Sequence, residues 1–194
     1  MLFRKQANKA HEATDEAIVA DLQRNADAEL FAVLYDRYTA KVFQKCLGMT
    51  RNKQLAADLT HDIFLKAFLN LPKFDHRSRF GTWLYSITYN RCLDQLRKDK
   101  RQRATEADDD LPGDLPEDRY EAELLEMRAE HLPNVLDALA PDDRALLLMK
   151  YQDDLGVKDM AEVLGLGESA VKMRLMRARE RALQLYRTIA PDAA

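Results

Sequence analysis

Apolar residues recur three and four positions apart along almost the whole chain, and only six glycines and six prolines interrupt them. Such spacing lines one face of an α-helix and leaves little room for the alternation of a strand, so the chain is expected to be all-α. Leu30, Phe31, Leu34, Tyr38, Val42 and Phe43 make one stripe; Leu55, Leu59, Ile63, Phe64, Ala67 and Phe68 make a second, after turn-like residues at Thr50 to Asn52. Pro72 ends that second helix, since a proline ring clashes with the preceding turn. A loop, LPKFDHRSRFG, precedes a further helix marked by Trp83, Leu84, Ile87, Cys92, Leu93 and Leu96. Towards the carboxyl end, LPNVLDALAPDDRALLLMKYQDDL reads as two short helices around Pro141.

The segment 157–187 writes two helical patterns around a glycine-bearing turn. Val157, Met160, Ala161 and Leu164 make the apolar face of the first, leaving Lys158, Asp159 and Glu162 in water. Gly165 stops it, Leu166 fills the corner, and Ser169 lies where a second helix would be capped. The second helix is expected to bury Ala170, Val171, Leu175, Ala178 and Ala182, so that Lys172, Met173, Met176, Arg177 and Arg181 project from the other side. From Lys172 to Arg187 it carries six cations (Lys172, Arg174, Arg177, Arg179, Arg181, Arg187) against Glu180 alone. A helix-turn-helix with a cationic second helix suits a DNA major groove, where phosphates and base edges need such donors. The alternative is a solvated basic face on an ordinary helical hairpin.

The net charge of −3 hides a segregation along the chain. Arg91, Arg97, Lys98, Lys100, Arg101 and Arg103 outnumber Asp94 and Asp99, whereas Thr105 to Glu130 holds eleven carboxylates against Arg119 and Arg128. With Pro112, Gly113 and Pro116, the early part of that acidic stretch cannot bury much apolar surface and reads as a self-repelling linker, with helix resuming around Tyr120. The organisation expected is an amino-terminal segment with the start of a helix (1–26), a helical domain (27–103), an acidic linker (104–130) and a second helical domain (131–190).

Cys46 and Cys92 lie far apart in sequence and argue against a disulfide framework, fitting a reducing cytoplasm, with each cysteine read as packing. No signal peptide or membrane span is read, so a cytoplasmic protein without membrane insertion is expected. His11, His61, His76 and His131 are scattered without ligand spacing to the cysteines, and Asp108 to Asp110 are read as solvated linker, so no metal or cofactor is expected. Phosphate loops, nucleophile elbows and paired catalytic carboxylates are not found, so no catalytic residue is assigned.

Three stretches, DLTHDIFLKAFLNLPKF, FGTWLYSITYNRCLDQLRKDKR and LDALAPDDRALLLMKYQDDLGVKDMAEVLGLGESAVKMRLMRARERAL, resemble in order and spacing the extracytoplasmic-function group of RNA polymerase sigma factors, group 4 of the sigma-70 family. The resemblance runs from Asp27 to Tyr186. It implies two helical domains, sigma-2 and sigma-4, and a non-catalytic initiation subunit that binds core polymerase (the β′ coiled coil and the β flap), recognises −35 and −10 promoter DNA and promotes melting, commonly under an anti-sigma factor. By this resemblance Asp58, His61 and Asp62 contact core polymerase, Lys66, Asn70, Phe74, Ser78, Tyr85 and Asn90 contact the nontemplate strand of the −10 element, and Ser169, Lys172, Met173, Arg174, Met176 and Arg177 contact the −35 element. A hydroxyl and cations at Ser78, Arg77 and Arg79, backed by aromatic rings, would hold an extruded base. Arg91, Arg97, Lys98 and Arg101 read as phosphate clamps, and Trp83 as core. The chain departs from the family pattern at Ala57 and His61, at Gly81, where many relatives carry a larger residue, and at Met173, where many carry a small hydroxyl. The acidic linker would thread towards the RNA exit path or lie over the basic recognition helix. A stand-alone helix-turn-helix regulator and a protein-only adaptor are the alternatives.

Overall fold

The computed structural model describes residues 13–103 and 121–191 except Ala26 and Leu125, with backbone alone for Ala28 and residues 99–103. Every long element among them is a helix, as the periodicity requires: α1 (Asp15–Asn25), α2 (Ala28–Thr50), α3 (Lys53–Asn70), α4 (Phe80–Arg103), α5 (Leu132–Ala138), α6 (Pro141–Leu147), α7 (Val157–Leu164) and α8 (Glu168–Ile189). The chain divides into two compact units, Met1–Cys92 and Leu93–Ala194, and α4 spans the division.

In the first unit the helix limits follow local chemistry. Asp27 caps α2 by accepting from the Glu29 N–H (2.9 Å), and Asn52 caps α3 by accepting from the Leu55 N–H (3.0 Å). Between them Arg51 takes a left-handed conformation (φ 54°) that reverses the chain. After Asn70 the chain tightens into a 3₁₀ turn, Leu71–Lys73, which holds Pro72 where its missing N–H does no harm. The core gathers Leu34, Val42, Leu59, Ile63 and Leu84 from three helices, each side chain contributing about 1.5–3 kcal/mol by leaving water.

Helix α1 belongs to this core as well, although residues 1–26 carried no assigned role in the sequence. Ile18, Val19 and Leu22 are buried, and polar contacts fasten both ends. Arg37 pairs with Asp15 (2.5 Å) and donates to the Ala13 carbonyl (2.8 Å), while the Tyr38 hydroxyl donates to Asp15 (2.5 Å). Tyr38 also explains the small residue at position 81: a Cβ there would lie 2.9 Å from the Tyr38 hydroxyl oxygen. Burial, then the Asp15 hydrogen bond and charge, push the Tyr38 hydroxyl well above its ordinary pKa.

In the second unit Pro141 opens α6 at the first helical turn. A single wide turn follows over Leu148–Gln152, with the Asp153 N–H donating to the Leu148 carbonyl five residues back (3.0 Å). Helix α7 ends as a Schellman motif: Gly165 is left-handed (φ 64°), its N–H donates to the Glu162 carbonyl (3.4 Å), and the Leu166 N–H reaches the Ala161 carbonyl (3.0 Å). Met149, Met160, Val163, Val171 and Leu175 fill the space between these helices.

Candidate nucleic-acid interface

The helix-turn-helix spans α7, the Gly165 turn and α8. Lys158, Asp159 and Glu162 face solvent, and Val171, Leu175, Ala178 and Ala182 are buried, matching the periodicity. Two local expectations fail. Ala170 is exposed, because burial starts only at Val171, and Ser169 does not cap: Gly167 holds the N-cap position and Ser169 sits exposed inside the first turn.

The six cations of α8 divide into two sets. Lys172, Arg174 and Arg177 are exposed beside Met173, which is 54 % exposed, and Met176 is half-buried. Arg179 faces the opposite way at only 2 % exposure, its Nε donating to the Tyr151 hydroxyl (2.8 Å) and its guanidinium pairing with Glu121 (3.2 Å). Arg181, expected to project outward, lies half-buried against Asp143 of α6 (2.9 Å). Arg187 pairs with Glu123 (2.7 Å). Carboxylates of the same unit, Glu121, Asp143 and Glu123, thus pair with three of the cations, and the remaining charge concentrates on the first three turns of α8, ahead of Ala178. The acidic stretch contributes to this pairing through Glu121 and Glu123; residues 104–120, including Asp108 to Asp110, lie outside the described residues. Burial pushes the Tyr151 hydroxyl above its ordinary pKa, so it stays protonated beside Arg179.

A second polar and aromatic surface lies in the first unit, around the loop between α3 and α4. Gln23 of α1 holds it, its amide donating to the Leu71 carbonyl (3.0 Å) and the Phe74 carbonyl (2.7 Å) while its oxygen meets His76 Nε2 (2.9 Å). His76 itself takes a left-handed conformation (φ 59°). Phe74 is 5 % exposed, with ring centroids 5.0 Å from Trp83 and 6.3 Å from Phe80. Its ring therefore braces the loop from inside, whereas the resemblance placed it against the strand. Trp83 is half-buried in the same cluster, 5.8 Å from Phe80, in keeping with a core role.

The other residues assigned there remain reachable. Lys66 and Asn90 are exposed, and Ser78 is half-buried between exposed Arg77 and Arg79. Asn70 donates to the Lys66 carbonyl (2.8 Å), closing the end of α3. Tyr85 is half-buried, with the Lys45 ammonium 4.2 Å from its ring centroid and the Tyr38 ring at 6.2 Å. Among the clamps, Arg91 pairs with Asp62 (2.9 Å), Arg97 pairs with Asp142 within the second unit (2.5 Å), and Lys98 is exposed. The Arg101 side chain lies outside the described residues.

On α3 the inward turn of Leu59 and Ile63 leaves Asp58, His61 and Asp62 exposed in one row. The row continues to Leu65 and Leu69, both among the most exposed large apolar residues described. Sequence reasoning missed these leucines, though their three-to-four spacing from Asp58 and Asp62 was visible; an exposed leucine looks the same as a buried one until the helix is seated. Among the described residues no group of three side chains is placed to hold a metal, and no helix is long and apolar enough to cross a membrane.

Residues 34–102 match sigma-70 region 2 and residues 129–181 match sigma-70 region 4. The extracytoplasmic-function (ECF) RNA polymerase sigma factor SigW of Bacillus subtilis (strain 168) is 31 % identical over 170 residues, covering 81 % of this chain and 89 % of the relative. The chain belongs to the ECF sigma factors of the sigma-70 family. It is a transcription initiation factor, a non-catalytic subunit of the RNA polymerase holoenzyme. SigM of the same organism is 30 % identical over 155 residues, 79 % of this chain and 93 % of the relative. The fold of this ECF factor is shared by CnrH, solved in complex with the cytosolic domain of CnrY, at a TM-score of 0.62, 21 % identity and coverage of 88 % and 96 %. It is shared also by RpoE of Bartonella quintana, solved with the anti-sigma factor NepR, at a TM-score of 0.58, 21 % identity and coverage of 80 % and 95 %.

Proposed function

We propose that this ECF factor divides promoter recognition between its two surfaces. Helix α8 enters the major groove of the −35 element with Lys172, Met173, Met176 and Arg177 towards the bases and Ser169 and Arg174 towards backbone or base edges. Met173 offers an apolar contact, such as one to a thymine methyl, in place of a hydroxyl hydrogen bond. Lys66, Asn70, Ser78, Tyr85 and Asn90 take the nontemplate strand of the −10 element, with Phe74 bracing the loop from below, and Arg91, Arg97, Lys98 and Arg101 clamp phosphates. The exposed row Asp58, His61 and Asp62 docks on the β′ coiled coil, and the second domain reaches the β flap. The domains are drawn wider than 27–103 and 131–190, because α1 packs with the first and Glu121 and Glu123 pair with α8 of the second; action in the cytoplasm fits this division. An anti-sigma factor is a further partner, by analogy with the complexes formed by CnrH and by the Bartonella RpoE.

The observation that carries this reading is the split of the α8 cations. Inward arginines are neutralised by carboxylates of the same unit, and Lys172, Arg174 and Arg177 project together around exposed Met173. The test is reconstitution with core polymerase on selected promoter fragments. Runoff transcription and permanganate-reactive thymines near the start site are expected from the holoenzyme. Sequence-specific operator binding by the isolated protein, with no transcription from the holoenzyme, would show a stand-alone regulator instead.

A further inference from the structure

Cys46 on α2 and Cys92 on α4 are 46 positions apart, yet their sulfurs lie 3.7 Å from each other, with the Cys92 thiol donating to Cys46. Both are fully buried free thiols. Cys92 directly follows Asn90 and Arg91, and Arg91 reaches across to Asp62 of α3 (2.9 Å), so this pair lies beneath the turn that the proposed function assigns to strand and phosphate contact. We propose that Cys46 and Cys92 are a reversible dithiol–disulfide pair oxidised by hydroperoxides, whose closure lowers promoter opening by displacing that turn of α4. The promoter-opening half rests on the proposed function; the thiol chemistry does not.

The geometry assigns the roles. The Cys92 hydrogen bond lowers the Cys46 thiol below its ordinary pKa against the opposing effect of burial, while the same bond and burial push Cys92 up and keep it protonated. Cys46 is then the attacking thiolate. It takes the outer oxygen of a hydroperoxide; the O–O bond breaks, the alcohol or water leaves with a proton, and Cys46 becomes a sulfenic acid. Cys92 attacks that sulfur, the S–O bond breaks, the S–S bond forms, and the released hydroxide takes the Cys92 proton as water. Two thiols are oxidised and one peroxide bond is reduced, two electrons in all. Both thiols are shielded, so a small uncharged peroxide must enter through local opening of α4, which makes the reaction slower than that of an exposed thiol. Closure shortens the sulfur separation from 3.7 Å to about 2.05 Å, drawing α4 and α2 together. In a reducing compartment such a bond is transient, as a sensing disulfide must be.

The full chain, purified under reductant, is treated with hydrogen peroxide and examined by intact mass and peptide mapping. Loss of two hydrogens, a Cys46–Cys92 cross-linked peptide pair and restoration by dithiothreitol are expected, and Cys92→Ser should trap a sulfenic acid at Cys46. An unchanged thiol mass at peroxide levels that oxidise a free peptide thiol, or cross-linking only between molecules, overturns the pair. Holoenzyme made with oxidised protein should open promoters several-fold less than with reduced protein, and the Cys46→Ser/Cys92→Ser variant, with unchanged helical content, should show no peroxide response. A cross-linked protein with undiminished opening overturns the coupling. Failure of the reduced protein itself to open promoters strikes the proposed function and leaves the thiol chemistry standing.

Discussion

Three arginines on one helix have three different energetic roles. Arg177 is exposed and uncommitted, so its side chain is available for a base or phosphate. Arg177→Ala is expected to weaken binding to a cognate −35 duplex by about 1–3 kcal/mol with an unchanged melting temperature; unaltered affinity in a fluorescence titration would remove it from the interface. Arg187 holds Glu123 near solvent, where such pairs contribute about 1 kcal/mol at most. Arg179 is almost wholly buried, whereas its partner Glu121 keeps a 38 % exposed side chain. Removing the carboxylate takes a counter-charge from a buried cation, but removing the cation leaves a carboxylate that water can still reach. Glu121→Ala should therefore destabilise the second unit by about 3 kcal/mol, the low end for breaking a buried pair because Tyr151 remains bonded. Arg179→Met should have the smaller effect, and urea unfolding of the two variants checks the order.

At the scale of elements, the loop after α3 depends on a helix distant in sequence. Gln23 donates to two carbonyls of the 71–74 turn, that of Phe74 and that of Leu71, the latter also accepting from the Phe74 N–H (3.0 Å). Gln23→Ala should remove both side-chain donors, leaving the Leu71 carbonyl with the Phe74 N–H alone and loosening the turn by about 1–2 kcal/mol. Faster amide exchange in residues 71–79 and reduced promoter opening should follow, with −35 duplex affinity unchanged; equal losses in both DNA assays would mean general destabilisation. The buried Phe74 ring belongs to the same support. The loop can present Ser78 and its flanking arginines because aromatic packing beneath it and an amide beside it restrict its backbone.

For the whole molecule, alkaline pH tests how α1 is fastened. Folding raises the Tyr38 hydroxyl above its ordinary value near 10, so the folded state holds that proton more tightly than the unfolded chain does. The associated stability is fully present below about pH 10 and is lost as pH rises towards the folded value. Unfolding midpoints measured from pH 9 to 11 should fall more steeply for the native chain than for Tyr38→Phe; parallel slopes would show that Tyr38 does not contribute.

Much of the architecture was legible in the residues alone. Helical spacing, the left-handed stop at Gly165 and the cationic second helix are local properties, fixed by backbone sterics and by a turn of 3.6 residues, and the family resemblance follows the same order of motifs. Folding decided which members of each pattern face inward. Arg179 meets Tyr151 from 28 positions away, Gln23 meets Phe74 from 51, and Cys92 meets Cys46 from 46. No local periodicity encodes those meetings. A buried cation and an exposed one occupy equivalent places in a helical repeat, and only the carboxylate packed against one of them separates the arginine that holds the fold from the arginine that projects into solvent.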